Sequence, residues 1–513
     1  MRCNGKIAIR EFRSGGFSIS CLAVSLSETR RLSFRAWGIV ERLTMYLRLF
    51  RHFIPVSAIL LLSLDLLFIV SLLSWMRLGS IDATYSPFWA ERVAANPLAP
   101  VLLIAVITMA SVGLYAWEAF VDFGTLMTRI AIAFGLFVFF CYILTTYAYG
   151  QVDSSVHLIN SLTVPALIWL TWVGLTRSLF AASFTLGWFK RRILVLGGGR
   201  QADLITELVR SNQNHHFIPV SYVRPTGERA RHRHDSVEGS EADPSSLTEL
   251  ASRLGIREIV VATTERRGLP VRDLLHCKLS GIKVTQFLDF WERETRTIDL
   301  EALTPSWLFY SDGFRFGILD ETLKRAFDVI VSMALLAFTL PLQMAAAGLI
   351  KLESAGPILY RQERVGRHGR VFTILKFRSM RINAEEDGRP LWAAERDSRV
   401  TRVGGFIRKY RIDELPQLVN VLRGDMSFVG PRPERPFFVD QLTQGIPYYT
   451  ERHWVPPGIT GWAQINCPYG ASVEDGRRKL SFDLYYIKNR SIFLDFVILL
   501  RTAGVIFSRS GAR

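Results

Sequence analysis

Cysteine is scarce and scattered in this chain. Cys3, Cys21, Cys141, Cys277 and Cys467 show no paired spacing, so neither a disulfide framework nor a zinc site is indicated, and a reducing compartment fits. The basic, weakly patterned segment 1–51 lacks a compact apolar stretch followed by a small-residue cleavage site, so a secretory signal is not expected. Met45, just ahead of the first apolar run, is a candidate start of the natural protein. Internal repeats and low-complexity tracts are absent. Acidic residues are under-represented: 62 Lys and Arg against 46 Asp and Glu leave a net charge of +16.

A length of 513 residues argues for more than one domain, and 49% hydrophobic content is high for a soluble protein. A strongly basic chain suits either nucleic acid or a membrane whose cytoplasmic edge meets anionic lipid and phosphate. Long apolar runs decide for the second, with no nucleic-acid partner. Four of them, about 53–76, 98–119, 128–149 and 156–177, are near the roughly 20 residues that cross a bilayer. Ten Lys and Arg precede the first run, and Arg177, Lys190, Arg191 and Arg192 follow the last. The positive-inside rule then puts both ends of a four-helix transmembrane bundle (52–178) on the cytoplasmic side. The alternative is a set of buried helices in a large soluble domain.

From Arg192 the pattern becomes α/β. RRILVLGGGRQADLITELV reads as strand, glycine turn and helix, with Gly197, Gly199 and Ala202 forming G-x-G-x-x-A. Such a turn brings backbone N–H groups toward a phosphate at a helix N-terminus. A second strand, 217–223, ends at Arg224 and Pro225 rather than at the acid that usually holds an NAD ribose. With REIVVAT (257–263) and IKVTQF (282–287), the expectation is a Rossmann-like cytosolic domain over 190–305, structural or regulatory, with Gly197 and Gly199 a weak cofactor site. His215, His216, His232 and His234 read as solvated residues rather than as metal ligands.

A further apolar run, about 326–350, is flanked by Lys324, Arg325 and Lys351 and carries Pro341 at its middle. Basic residues at both flanks favour the cytoplasm on each side, and proline removes a helix hydrogen bond. A fifth crossing would also carry everything after it outside. The expectation is a re-entrant helix broken at Pro341; a full crossing is the alternative. The last segment, from Asn489 to Arg509, reads equally as an interfacial helix or as core packing.

Chemistry concentrates in RKYRIDELPQLVNVLRGDMSFVGPRPERP (408–436), where Asp413 and Glu414 stand among Arg408, Arg411, Arg423, Arg432 and Arg435. Leu415, Leu418, Val419 and Leu422 recur at helical spacing, and Gly424 is a stop. Pro416, tolerable only in a first turn, sets the helix start at Asp413 or just before. The helix dipole and the arginines would then keep Asp413 ionised, as a carboxylate nucleophile requires. A plain N-cap explains Asp413 equally well. LYRQERVGRHGRVFTILKFRSMR looks like a β-hairpin followed by Lys376, Arg378 and Arg381. Prolines stiffen the loop that carries Arg432 and Arg435, and held guanidiniums suit a diphosphate; Arg364, Arg367 and Arg370 read as surface charges. VPPGITGWAQIN (455–466) either lines a pocket or packs.

Over residues 320–511 these motifs, with KRAFDVIVS and FDLYYIKNRS, resemble the bacterial sugar transferases that act as polyprenyl-phosphate glycosylphosphotransferases, the monotopic phosphoglycosyl transferase superfamily. The upstream arrangement is similar to the large exopolysaccharide-initiating branch, and 290–314 looks like a linker of members tied to exosortase-associated polysaccharide loci. The resemblance implies that a UDP-sugar donates sugar-1-phosphate to undecaprenyl phosphate with release of UMP, at the cytoplasmic face of the bacterial inner membrane. It makes Asp413 the nucleophile that forms a phosphoglycosyl-aspartate, and Glu414, with Asp413, the contact for a divalent metal, normally Mg²⁺. Arg408 becomes a phosphate clamp. Lys376, Arg378, Arg432 and Arg435 line the donor site, and Asp483 is assigned to substrate binding. Tyr410 and Arg411 depart from the small or hydroxyl residues many members carry. Membrane lipid is an implied partner, and homo-oligomerisation and the sugar stay open.

The expected fold is thus a membrane protein: a four-helix transmembrane bundle, an α/β Rossmann-like domain, and a mostly α-helical catalytic domain (320–513) with a re-entrant membrane helix. Two other classes compete. A nucleotide-sugar oxidoreductase or dehydratase would usually carry Tyr-x-x-x-Lys, and no tyrosine here has lysine four residues later. A scaffold or transporter leaves the carboxylate–arginine constellation unexplained.

Overall fold

The computed structural model describes residues 46–49, 51–79, 98–115, 123–149, 155–185, 190–211, 217–223, 247–263, 268–314, 316–381, 399–467, 470 and 472–508. Segment 1–45 with Met45, Arg224 and Pro225, and the four histidines at 215, 216, 232 and 234 lie outside them. The chain begins here with an antiparallel hairpin, β1 (Tyr46–Leu49) and β2 (His52–Pro55). The start of the first apolar run is therefore a strand, and the helix begins only at Val56. β-Branched and aromatic residues favour the strand, and the hairpin is docked: Tyr46 Oη donates to Glu294 at 3.4 Å and His52 Nδ1 meets Tyr485 Oη at 2.9 Å.

Four helices occupy the four apolar runs: α1 (Val56–Gly79), α2 (Leu98–Ser111), α3 (Phe123–Tyr149) and α4 (Ser155–Thr185). They pack in the pairs α1–α2, α2–α3, α3–α4 and α1–α4 around Ile69, Met109, Leu126, Trp169 and Val173. Asp65 and Arg177, both fully buried, form a two-pronged ion pair at 2.7 and 2.6 Å. Removing one partner alone would leave a buried charge, at a cost of about 3–5 kcal/mol. The second run falls short of its expected length. Its helix has 14 residues, about 21 Å at 1.5 Å per residue, and turns at Val112–Tyr115. Among the described residues, Ile318–Glu353 is long and apolar enough to cross a membrane, while Val56–Leu72, Leu126–Cys141 and Leu167–Ser183 are shorter apolar stretches.

A parallel four-stranded sheet comes next: β3 (Arg191–Leu196), α5 (Arg200–Ser211), β4 (Phe217–Val223), α6 (Leu247–Arg253), β5 (Glu258–Val261), α7 (Val271–Leu279) and β6 (Lys283–Gln286), with strand order β4-β3-β5-β6. Ile193 to Leu196 are buried from both faces, as expected for apolar strands under helices on each side. Gly197 lies at the end of β3 with φ +138°, and a Cβ there would sit 2.1 Å from the Ala262 carbonyl oxygen. Its glycine is thus required by strand packing, independently of any ligand. Gly199 (φ +70°) opens onto free space.

The expected linker is instead two helices, α8 (Phe287–Thr295) and α9 (Pro305–Tyr310). They join the sheet to the C-terminal unit through one continuous apolar core and a buried ionic hub. Arg293 bridges Glu258 at 2.9 Å, and Glu292 accepts from Lys488 at 2.5 Å and Asn489 at 2.7 Å.

That unit opens with α10 (Ile318–Glu353), 36 residues that run through Pro341 without interruption. The expected break there is corrected: one lost hydrogen bond does not end a helix whose neighbouring turns persist. Both ends sit on the same globular unit. Near the N-terminal end, Lys324 reaches Asp495 at 2.8 Å and Asp328 accepts from the Phe428 amide at 3.1 Å. At the other end Ala346 and Ile350 pack with Phe377, Ile407 and Ile412. Between them Ile330, Met333, Phe338, Leu340 and Met344 are exposed.

The remaining elements are β7 (Leu359–Val365) and β8 (Val371–Phe377), the expected hairpin; α11 (Arg402–Lys409); α12 (Gln417–Arg423); β9 (Ser427–Val429); α13 (Pro436–Gly445); β10 (Gly458–Thr460), parallel to β9; α14 (Trp462–Asn466); α15 (Val473–Asn489); and α16 (Ile492–Ser508). The terminal α16 is partly core. Leu494, Asp495 and Ile498 are fully buried, and Gly504 permits close approach to α2, since a Cβ there would lie 2.1 Å from the Ser111 carbonyl oxygen.

Candidate active site

The carboxylate pair is held by its neighbours in sequence. Thr401 caps α11 by accepting from the Gly404 amide at 2.9 Å, and Glu353, at the end of α10, accepts from the Arg402 amide at 2.8 Å. The chain then reverses at Arg411 (φ +54°) into a 3-10 turn, Ile412–Glu414. Regular helix starts only at Gln417, after Pro416, so the expected start at Asp413 is corrected by one turn. Ile412 is fixed in the apolar cluster beneath α10, and Asn420 pins α12 to β8 by accepting from the Leu375 amide and donating to the Thr373 carbonyl. Gly424 (φ +95°) ends α12 as expected.

Within this frame the two carboxylates differ. Glu414 is buried and takes the cations: Arg432 donates to Oε1 at 2.8 Å, Lys376 to Oε1 at 3.4 Å and Arg411 to Oε2 at 3.4 Å. Burial alone would raise its pKa, but Arg432, Lys376 and Arg411 outweigh that and hold it well below the usual carboxylate range. Asp413 is half-buried, and among the described residues no side chain hydrogen-bonds it. Burial, then the charge on Glu414, push it up to about 6 against Lys376, Arg432 and Arg408. The dipole and arginine argument therefore fits Glu414, and Asp413 is raised rather than depressed; it is still mostly ionised at neutral pH. Burial likewise lowers the Lys376 ammonium, opposed by Glu414.

Not every expected residue joins this cluster. Lys376, Arg408 and Arg432 do. Arg435 stands at the start of α13. Burial first, then Arg432 and Arg435, lower the pKa of Arg364 to about 10 against Glu434. Arg364, read as a surface charge, in fact supports this loop by donating to the Pro433 carbonyl at 3.0 Å. Arg378 is elsewhere: its guanidinium closes the C-terminal end of α10 on the carbonyls of Ser354 and Ala355, both at 2.8 Å. Asp483 is buried behind the site and holds Arg452 at 2.8 Å, which in turn donates to the Arg432 carbonyl at 3.0 Å. It therefore acts on the proline loop through Arg452, a residue no sequence pattern marks. Pro341 lies within α10, and Gly197 and Gly199 follow β3 in the four-stranded sheet.

The cluster sets four cations (Lys376, Arg408, Arg411, Arg432) around two carboxylates, an excess that suits a polyanion. No group of three or more His, Cys, Asp or Glu side chains placed to hold a metal ion occurs among the described residues. Two carboxylates could hold Mg²⁺ only with further oxygens, from phosphate or water, completing its shell. Asp413 would be the carboxylate left to hold it, since both oxygens of Glu414 already accept from cations.

The family model described as Bacterial sugar transferase matches residues 319–509. The chain is 51% identical over 242 residues to a UDP-N-acetylgalactosamine-undecaprenyl-phosphate N-acetylgalactosaminephosphotransferase of Aeromonas hydrophila, covering 47% of this chain and 56% of that one. It is 46% identical over 197 residues to an undecaprenyl-phosphate glucose phosphotransferase of Komagataeibacter xylinus, covering 37% of each chain. Against a UDP-glucose:undecaprenyl-phosphate glucose-1-phosphate transferase of Escherichia coli it is 31% identical over 365 residues, covering 67% of this chain and 76% of that one.

Proposed function

The chain belongs to the bacterial sugar transferase family, and from that membership we propose that it transfers sugar-1-phosphate from a UDP-sugar to undecaprenyl phosphate, opening exopolysaccharide synthesis at the cytoplasmic face of the inner membrane. The observation that carries this reading is the division of labour at 413–414: one carboxylate neutralised by three cations beside one left open.

In the first step an Asp413 carboxylate oxygen bonds to the β-phosphorus of the donor. The bond from that phosphorus to the bridging oxygen breaks, and UMP leaves with the electron pair. In the second, an oxygen of the lipid phosphate attacks the same phosphorus, the aspartyl–phosphorus bond breaks, and undecaprenyl diphosphate sugar is released. Lys376, Arg408 and Arg432 offset the charge of the diphosphate, which is the main requirement of phosphoryl transfer. Bound Mg²⁺ would supply further charge neutralisation beside Asp413 and Glu414. Glu414 keeps Arg432 and Lys376 in place before substrate arrives, and the Asp483–Arg452 pair steadies the loop behind them.

The membrane reading rests on α10. Its two ends pack on one globular unit while its apolar middle is exposed, which supports re-entry into one leaflet with both ends at the same interface; a continuous helix does this by bending, and Pro341 is the residue that permits the bend. The helices α1–α4 are assigned to the transmembrane bundle and the four-stranded sheet to a Rossmann-like cytosolic module. The test is UMP release from a panel of UDP-sugars with undecaprenyl phosphate and Mg²⁺. UMP released with lipid acceptor and abolished by Asp413→Asn supports the proposal; turnover retained by Asp413→Asn refutes it.

A further inference from the structure

Away from Asp413, at the other end of α12, a second cationic site lies against α10. A cavity of about 260 Å³ is lined by Lys324, Arg325, Arg367 and Arg490, with Glu321 and Asp328 the carboxylates. Four cations face two lining carboxylates, with Asp495 behind Lys324 a third. Most of these charges are accounted for. Lys324 pairs with Asp328 and Asp495, Arg367 with Glu321 at 2.6 Å, and Arg325 donates to the carbonyls of Val421 and Leu422.

Arg490 is the exception. It is 8% exposed, its guanidinium lies 4.1 Å over the ring of Phe316, and it has no hydrogen-bonding partner among the described residues. None of its nitrogens is among the buried side-chain atoms that lack a partner, so its N–H edges stay accessible from the cavity. One stacked face and open edges, turned to a cavity, make a receptor for a tetrahedral anion.

A shallow, largely open surface shares Glu321 and Arg325 and continues along α10 over Ala326, Val329 and Ile330. Its exposed lining is mostly apolar. The pair thus offers a charged head pocket and an adjoining apolar surface on the helix assigned to the bilayer. Gly424, which ends α12, lies on the head pocket, ten residues beyond Glu414 along the chain.

We propose that this is a binding site for an anionic phospholipid, with the lipid phosphate on Arg490 and an acyl chain along Ala326–Ile330. The proposal rests on the membrane placement of α10. It makes the docking of α10 on the catalytic unit sensitive to lipid headgroup, apart from the substrate cluster.

The test uses the full chain in detergent, with phosphatidylglycerol, phosphatidylcholine and inorganic phosphate as probes, read by native mass spectrometry and thermal shift. The wild type should retain phosphatidylglycerol over phosphatidylcholine. Arg490→Gln should lose about ten-fold in that retention, the scale of one charge-assisted hydrogen bond. Ala326→Phe, which blocks the apolar surface and spares the cations, should lose as much, and it carries the test if Arg490→Gln misfolds. Equal retention of the two lipids, or unchanged phosphatidylglycerol retention in a folded variant, overturns the proposal. A thermal shift by inorganic phosphate with none by phosphatidylglycerol overturns the lipid assignment. Failure of the wild type to enter phosphatidylcholine vesicles at all would instead count against the membrane placement of α10.

Discussion

Arg432 donates to Glu414 at 2.8 Å and makes no hydrogen bond to Asp413, one residue away. That choice separates two adjacent carboxylates into a neutralised anchor and an open oxygen whose proton affinity is raised. A nucleophile needs the second condition. A phosphate site that must not collapse when empty needs the first.

The acid limb of activity is set by the same contrast. Asp413, pushed up to about 6, must be ionised to attack. The kcat/KM profile for the donor should fall as pH drops through about 6, approaching ten-fold per unit below it. Glu414, held low, contributes no second limb in that range. Measuring kcat/KM from pH 5 to 8 checks this; a flat profile contradicts it.

Stability should respond in opposite senses at the two positions. Asp413 binds its proton more tightly folded than unfolded, so its contribution is favourable at low pH and lost as pH rises through about 6. Asp413→Asn should therefore melt a few degrees above the wild type at pH 8, with the gap closing below pH 6. Glu414→Ala strands three cations and should destabilise by about 3–5 kcal/mol. Thermal melts at two pH values decide both.

Asp483 is a positioning residue. Asp483→Asn weakens its hold on Arg452, and with it the support of the Arg432 carbonyl. Donor KM should rise roughly ten-fold, as misplacement of a phosphate clamp does, while the acid limb near pH 6 stays where it is. Retention of wild-type KM, or a displaced limb, contradicts the role.

Arg378 separates the structure from the family-based expectation. Its hydrogen bonds go to Ser354 and Ala355 at the end of α10. Arg378→Met should lower stability by about 1–3 kcal/mol and leave donor KM unchanged. A selective rise in KM without destabilisation would return Arg378 to the donor site.

The parts legible in the sequence are those fixed locally. The β7–β8 hairpin is readable in alternation around Gly366–Gly369, the strands of the sheet in short apolar runs, and the Asp413–Glu414 pair with its Gly424 stop in contiguous residues. The illegible parts depend on distant partners. Arg364 and Arg378 are both arginines on or beside the hairpin, and only the Pro433 carbonyl and the end of α10 decide that each is buried and structural. Glu292 meets Lys488 across 196 residues of chain, which no spacing foretells. The proline in α10 suggests a break, but one missing N–H leaves the rest of a 36-residue helix intact.

The most direct measurement is to incubate the wild type with UDP-sugar radiolabelled in the sugar, without lipid acceptor, and map the label by peptide mass spectrometry. The account predicts a phosphosugar adduct on Asp413, absent in Asp413→Asn and discharged by added undecaprenyl phosphate. Acceptor-dependent turnover with no adduct at Asp413, or with label on another residue, would contradict it.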